Sequence, residues 1–468
     1  MWTRREQHQA YRFLSRRIVS TMLGGEPEGT EVPMRRFTVT LLASLGVALL
    51  VFAGFAVYGL LFPGGARPEE NVIIVERESG AKYLYLANEL HPVLNWTSAR
   101  LILGQATPVV RTMSQASLRD LPRGRAVGIA GAPDALPDKR SLVALPWSVC
   151  TAPRSPSSVA LATHVFVTGS PAGGVEPGEG EGVLVTAGAT PGRYLIWRDH
   201  RLKVADSATV AALGWAGVRP APVAVAFLDA LPAGPDLAPL AVPGAGQRAN
   251  RAIAGSATTI GQLFRAAGQH YVMLREGLAP VGALSARLLA AGGARITDVT
   301  ATEVGAALLT TPVEPPGLPA DVPAVRGADD RFAMACAVYR GGAELEHPVT
   351  VEAFVRVADG MALADAPIAE EGADGAALAD RVVVPGGRGA LVTPIGSTTT
   401  YLITDQGIKF PLPRVDGTAV PAALGYADVR PVAVPGSILA LLPTGPSLDP
   451  RAAALFAAAP TVAPSASR

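Results

Sequence analysis

The stretch ALGWAGVRP, Ala212–Pro220, returns 211 residues later as ALGYADVRP, Ala423–Pro431, with seven of nine positions identical. A duplicated turn has two readings: an active-site loop written twice, or a repeated building block. Extending the comparison outward decides between them. Upstream stand RYLIWRDHRLKVADSATVA and TYLITDQGIKFPLPRVDGTAVPA; downstream stand FLDALPAGPDLAP and ILALLPTGPSLDP. Two more units follow the same plan: KYLYLANELHPVLNWTSARLILG from Lys82, and HYVMLREGLAPVGALSARLLAAGG from His270. The quoted stretch belongs to a module present four times.

Each module opens at a tyrosine: Tyr83, Tyr194, Tyr271 and Tyr401. An aliphatic strand, a polar turn and a short returning strand read as a hairpin. A short helical pattern follows and stops at Gly104, Gly214, Gly292 or Gly425. A helix C-terminus often needs a left-handed residue, which glycine adopts without a Cβ clash. Three modules continue to Leu-Pro-x-Gly, at Leu121, Leu231 and Leu442; the third reads VEPPGLP instead. A hairpin with one short helix cannot bury its apolar face alone, so the modules need neighbours. SLVALPWSVC (Ser141–Cys150) and RFAMACAVYR (Arg331–Arg340) read as buried strands that supply a shared core.

Phe37–Phe62 is a run of 26 residues without a charge, long enough to cross a bilayer as a helix. A signal peptide has an apolar core of roughly 7–15 residues nearer the terminus and a small-residue cleavage site. Here the bulky Leu60-Leu61-Phe62 precedes Pro63, so the run reads as an uncleaved anchor. Seven arginines (4, 5, 12, 16, 17, 35 and 36) precede the span, against Arg67 and Arg77 just after it. The positive-inside rule then puts residues 1–36 in the cytoplasm and 63–468 outside. Within Arg4–Met22, Tyr11, Leu14, Ile18 and Met22 fall on one helical face with Phe13 beside it. This basic amphipathic segment, with Arg12, Phe13, Arg16 and Arg17, reads as a topology determinant at the membrane surface and as a docking helix.

The chain holds two cysteines, Cys150 and Cys336, neither in a CxxC pair nor beside a histidine at ligand spacing. Outside the membrane an even pair reads as a disulfide, with two buried thiols as the alternative. A loop of about 186 residues sets an upper estimate of roughly 5 kcal/mol on its chain-entropy stabilisation. Tyr83 to Cys150 is 67 residues and Tyr271 to Cys336 is 65, so the outer region reads as two related halves joined across a pseudo-two-fold axis.

Chemistry is sparsely represented. The net charge of +1 gives no electrostatic case for nucleic acid. Lys82, Lys139, Lys203 and Lys409 are the four lysines; none follows Gly or precedes Ser or Thr, so no P-loop is written here. The glycines of Pro171–Val185 lie among Glu176, Glu179 and Glu181, which repel phosphate; a surface loop is the expectation. The six histidines are scattered, with no HExxH and no GxSxG elbow elsewhere. No catalytic, cofactor or metal residue is assigned. The 36 Arg against 4 Lys fit a GC-rich, actinobacterial-type genome.

AYRFLSRR before the span, ESGAKYLYLANELHPVLNWTSARLILG after it and the two cysteine strands resemble EccB, the single-span membrane component of actinobacterial type VII secretion. The resemblance covers nearly the whole chain; the MLGGEPEGTEVPM link before the span departs from it. It implies an α+β chain: a cytoplasmic N-terminal helix, one inner-membrane helix, and an elongated extracytoplasmic domain. That domain would hold a mainly β central core flanked by four hairpin/helix modules. The expected layout is 1–36 cytoplasmic segment, 37–62 transmembrane helix, 63–128 first module, 129–185 first core half, and 186–245 second module. It continues with 246–318 third module, 319–392 second core half, 393–451 fourth module and 452–468 mobile tail. The resemblance also implies partners: the FtsK-like ATPase EccC, EccD, EccE, the mycosin protease, the lipid bilayer and further copies of the chain. The expected role is a structural core subunit anchoring the secretion machine. The alternatives are an ATP hydrolase, after the family's frequent label, and a cell-wall-binding module using Trp96, Trp197 and Trp215.

Overall fold

In a computed structural model, the protein is described over residues 3–24, 33–61, 68–155, 158–187, 192–310, 313–329, 332–341, 348–359, 361, 377–414 and 420–457. It divides into two compact units, Met1–Leu90 with Val109–Gly124, and His91–Pro108 with Arg125–Arg468.

The amphipathic segment forms the Arg4–Gly24 helix, with Tyr11, Phe13, Leu14, Ile18 and Met22 all exposed. Pro33–Leu61 is a second helix; its stretch Phe37–Tyr58 has mean hydropathy 2.3 and is long and apolar enough to cross a membrane.

Four small sheets then share one strand order. A first strand pairs antiparallel with the tyrosine strand, which is hydrogen-bonded to the return strand. After the helix, a fourth strand comes back parallel to the first. The strands are Ile73–Glu76, Lys82–Leu86, Glu89–Pro92 and Val110–Met113 in the first sheet. They are Glu181–Ala187, Arg193–Trp197, His200–Val204 and Ala221–Val223 in the second. Leu263–Ala266, Gln269–Met273, Leu278–Val281 and Ile296–Asp298 form the third, and Ala390–Pro394, Thr400–Ile403, Lys409–Leu412 and Val432–Val434 the fourth. The register is the same throughout: Tyr83 faces Ile74, Tyr194 faces Val185, Tyr271 faces Phe264 and Tyr401 faces Val392. The residue after each tyrosine (Leu84, Leu195, Val272, Leu402) is fully buried. Period-two alternation explains this, because one side of each strand faces the helix.

The first and fourth strands were not part of the expected module. The layout boundaries after 185 and 392 cut through the strands Glu181–Ala187 and Ala390–Pro394.

Leu-Pro-x-Gly closes the first, second and fourth modules. Leu90, Arg201 and Lys409 donate their N–H groups to Pro122, Pro232 and Pro443 O, each at 2.9 Å. In return Gly124, Gly234 and Gly445 donate to Leu90, Arg201 and Lys409 O at 3.1, 2.9 and 2.9 Å. A Cβ on Gly445 would lie 2.3 Å from the Phe410 ring, so the closing chain passes too near the strand for a side chain. The third module makes the same pair without the motif: Leu278 N–H to Ala307 O at 2.8 Å, and Leu309 N–H to Leu278 O at 2.7 Å. There the missing side chain is on the other partner, since a Cβ on Gly277 would meet Ala307 O at 2.3 Å.

A further five-stranded sheet has the order Val349–Phe354, Met334–Tyr339, Trp147–Pro153, Leu161–Phe166, Arg381–Val383. The two cysteine-bearing stretches supply its adjacent antiparallel strands. One face packs Trp147, Val149, Ala335 and Ala337 against Phe227 and Leu228 of the Val225–Ala230 helix and Ile438 and Leu439 of the Gly436–Ala440 helix. Those helices end under matching cations. Arg201 Nη1 donates to Leu228 O at 2.9 Å, and Lys409 Nζ to Leu439 and Leu442 O at 2.6 and 2.7 Å. Leu228 O also accepts Leu231 N–H and Leu439 O accepts Leu442 N–H, so the cations add a second partner at each helix end, where positive charge is favourable.

The glycine- and glutamate-rich loop is a surface segment with a structural task. Val175 and Ala353 exchange two backbone hydrogen bonds of 2.9 Å along the Val349–Phe354 edge. A covered edge is protected from pairing with other chains.

Residues 452–457 differ from the expected mobile tail. Ala452–Ala454 belong to the Pro450–Ala454 helix, and Ala457 N–H donates to Ala126 O at 2.8 Å. Residues 458–468 lie outside the described part of the chain, as do Phe62 and His347.

Candidate functional site

The two copies of the duplicated turn, Ala212–Pro220 and Ala423–Pro431, each place an aromatic residue in a buried seam. The Ser207–Ala212 helix is capped by Asp206, whose carboxylate accepts from Thr209 N at 2.7 Å, and it ends at Leu213. Gly214 follows at φ +82° and carries the chain into Trp215, which is 3% exposed. Around Trp215 lie Leu184, Leu195 and Leu202 of its own sheet, and Leu284 and Leu288 of the third module's Ala283–Ala291 helix. In the fourth module Gly425 stands at φ +95° and Tyr426 takes the place of Trp215. Its neighbours include Leu402 and Phe410, and also Leu101 of the first module's Trp96–Leu103 helix. The modules therefore pair second with third and, through its helix, first with fourth.

The partner helices carry a motif of their own. Ser98-Ala99-Arg100-Leu101 and Ser285-Ala286-Arg287-Leu288 repeat the same four residues. Arg287 Nη1 reaches Leu213 O at 3.5 Å, the helix end that Gly214 terminates. Arg100 is close enough to Tyr426 to oppose the rise in its phenol pKa. That rise comes first from burial, with Asp138 adding to it. The hydroxyl donates to Pro137 O at 2.7 Å. Here the tryptophan-to-tyrosine difference has a cause: the segment that follows the first module offers a buried carbonyl at this seam. Tyr426→Phe should leave that carbonyl unpaired and cost about 1–2 kcal/mol in urea unfolding; an unchanged midpoint would contradict this role.

The tyrosines that open the modules are all half-buried strand residues, and Tyr194 and Tyr401 pack against one shared core. Gly104, like Gly214 and Gly425, is left-handed, at φ +64°. In the third module the helix ends at Gly292 with φ −71°, and its neighbour Gly293 takes the left-handed conformation at φ +97°. Arg12, Phe13, Arg16 and Arg17 are all exposed on the N-terminal helix. Trp215, being buried, is removed from any exposed aromatic face, while Trp197 donates Nε1–H to Glu179 O at 3.3 Å and lies under the Arg198 guanidinium.

Cys150 and Cys336 are directly opposed in the central sheet and form a disulfide, with Cα atoms 4.0 Å apart. Both are fully buried beneath Met334, Phe354 and Met361. The next residue across the sheet from Cys150 is His164, and beyond it Arg381; across from Cys336 is Glu352. His164 is fully buried, and neither ring nitrogen has a hydrogen-bond partner among the described residues. Burial, then the positive charge of Arg381, lowers its pKa to about 4; Asp380 opposes and Arg154 adds to the effect. The folded chain thus keeps His164 neutral while the unfolded chain protonates it below about pH 6.5. Its share of stability is complete above pH 6.5 and is lost as pH falls toward 4, by up to about 3 kcal/mol. The difference between the wild type and His164→Phe in urea midpoints, followed from pH 7.5 to 4, should show this slope; a flat difference would refute it.

No group of three or more His, Cys, Asp or Glu side chains able to hold a metal occurs among the described residues. Neither seam brings together a nucleophile, a base and an open cavity. Both are packed interfaces.

The sequence model of the family described as "Type VII secretion system ESX-1, transport TM domain B" matches residues 1–461. The chain is 28% identical over 470 residues to the ESX-3 secretion system ATPase EccB3 of Mycolicibacterium smegmatis, covering 95% of this chain and 89% of that protein. It is 30% identical over 310 residues, 62% of each chain, to the ESX-1 secretion system ATPase EccB1 of the same species. Its fold is similar to that of the EccB3 dimer from the ESX-3 core complex, with a TM-score of 0.66 and 25% identity over 82% of this chain and all (100%) of that one. A chain of an intact ESX-5 inner membrane complex has the same fold, with a TM-score of 0.66 and 24% identity over 98% of this chain and 96% of that one.

Proposed function

The chain belongs to the EccB family of type VII secretion systems, and on that premise we propose that it is a non-enzymatic structural subunit of such a membrane complex. The Phe37–Tyr58 helix anchors it, with the basic Arg4–Gly24 helix on the cytoplasmic side and the modular region in the periplasm-like space. The second and fourth modules take in their first strands, Glu181–Ala187 and Ala390–Pro394, so their boundaries begin earlier than 186 and 393. The other components of the machine (EccC, EccD, EccE, the mycosin protease) and further copies of this chain are the partners this reading names.

One observation carries it: the aromatic residue of each copy of the duplicated turn, Trp215 and Tyr426, is buried in a core shared with a neighbouring module's helix. Packing of that kind builds a rigid scaffold and leaves no room for a substrate. The relatives' names include ATPase, which brings in the second reading. A hydrolase needs a phosphate cradle and a cation to meet the β/γ oxygens. The sequence has no P-loop, and Lys409 is engaged at the end of the Gly436–Ala440 helix. A glycan-binding role loses Trp215, one of the three aromatics it requires.

The test is to tag the chain, extract membranes in mild detergent and resolve the assembly on a native gel. The scaffold reading expects the chain in a large complex and no ATP turnover above a mock preparation. Turnover that follows the chain through purification and disappears with one point substitution would replace it with the hydrolase.

A further inference from the structure

The row of side chains across the central sheet is chemically lopsided. In register it reads Glu352, Cys336, Cys150, His164, Arg381. Residues directly opposite each other in neighbouring strands point to the same face, so the disulfide is flanked by an imidazole on one side and a carboxylate on the other. Positive charge gathers beyond His164. Arg381 is its register partner, and Arg154 binds Asp380 at 2.5 Å, with the same carboxylate accepting Thr163 N–H at 2.8 Å. On the far side Glu352 accepts from Arg340 at 3.0 Å and from Ser170 at 3.1 Å. A buried histidine with two unpartnered ring nitrogens calls for an explanation, because such groups are costly to bury.

We propose that His164 is the hydrogen-bonding partner of Cys150 during thiol–disulfide exchange, which makes Cys150 the thiolate and Cys336 the sulfur that is attacked. A neutral imidazole has one N–H to donate, and Cys150 stands in register with it on the neighbouring strand, so a thiolate there is the acceptor set opposite it. Thiolates are favoured in electropositive surroundings and disfavoured beside carboxylates. Arg381 and Arg154 supply the first setting and Glu352 the second.

The exchange balances with a small thiol as co-reactant. Cys336 Sγ is fully buried in the closed chain, so the attack needs the cover of Met334, Phe354 and Met361 to open; the small thiolate then attacks Cys336 Sγ, the S–S bond breaks, and the electron pair leaves on Cys150 Sγ, held by the His164 N–H. The product is a mixed disulfide at Cys336. Closure is the reverse: the Cys150 thiolate attacks Cys336 Sγ, and the small thiolate leaves with the electron pair.

The test uses the full chain in detergent micelles, reduced under native conditions and pulsed with iodoacetamide, with the two alkylated cysteines quantified by mass spectrometry. An ordinary thiol with a pKa near 8.5 is only a few per cent ionised at pH 7, so a pKa lower by one unit gives roughly tenfold faster alkylation. Cys150 is expected to react about tenfold faster than Cys336 at pH 7, with the ratio falling toward one at pH 9 as both ionise. His164→Phe, which removes the donor and keeps an aromatic ring in the sheet, should bring the pH 7 ratio to about one. A wild-type ratio near or below one overturns the proposal, whether or not the variant folds. So does a ratio that does not change with pH, since that reports access and not ionisation; so does one that a folded His164→Phe preserves.

Discussion

Trp215→Ala is expected to lower the unfolding free energy by about 3–5 kcal/mol, the range for truncating a large aromatic in a packed core. Trp215 is 3% exposed and touches residues of two modules, so its removal opens a cavity that neither can fill alone. Leu195 and Leu202 are held by strand pairing, and Leu284 and Leu288 by a helix anchored in another sheet. Chemical denaturation of the full chain in micelles, followed by far-ultraviolet circular dichroism, measures the loss. Limited proteolysis should cut first in the second and third modules, whose seam is weakened. A loss under 1 kcal/mol would mean that the turn is not a packing element.

Cys150→Ser is the other large effect. The bond closes a separation of 186 residues, for which the chain-entropy model gives an upper figure of about 5 kcal/mol. The serine also leaves a hydroxyl and a thiol in an apolar layer under Met334, Phe354 and Met361. The bridge crosses adjacent strands of one sheet and joins the first half of the chain to the second, so the expected damage is a loosening between halves. A urea midpoint that falls to the value of the reduced wild type is the expected result. Equal mobility of reduced and unreduced wild-type chain on a denaturing gel, with both thiols alkylated without reductant, would remove the basis for the prediction.

The sequence carried the repeat clearly wherever side-chain alternation is strong. The four tyrosines were found because each is followed by a fully buried aliphatic residue in a polar-flanked strand. The disulfide was legible from compartment and cysteine number alone. The first strand of each module was missed, although GVLVT at Gly182–Thr186 and GALVT at Gly389–Thr393 repeat openly. A continuous apolar run has no period with which to distinguish a module strand from core. The fourth strands, only three residues long in Ala221–Val223, Ile296–Asp298 and Val432–Val434, give no pattern at all. They are set by the parallel neighbour, which is distant in sequence.

The seam was half visible. Ser-Ala-Arg-Leu appears in the first and third modules and Ala-Leu-Gly-aromatic in the second and fourth, and both repeats can be read without coordinates. Which module meets which is a tertiary fact, and neither motif states its partner. The turn of the third module shows the same limit from the other side. Leu278 and Leu309 hold the backbone roles that Lys409 and Gly445 hold in the fourth, and the glycine that gives the close approach is Gly277 on the strand side, so the pairing persists while the sequence motif disappears.

The pairing of modules across these seams is the account's central claim, and a double-mutant cycle tests it most directly. Trp215→Ala and Leu288→Ala are made singly and together, and unfolding free energies are compared, with Trp215→Ala and Leu101→Ala as the control pair from different seams. Residues in contact are expected to be non-additive by about 1 kcal/mol or more, and distant residues additive within roughly 0.3–0.5 kcal/mol. Coupling of Trp215 to Leu288 with additivity toward Leu101 is the predicted result. Additivity in both pairs would contradict the second-with-third pairing on which the scaffold reading rests.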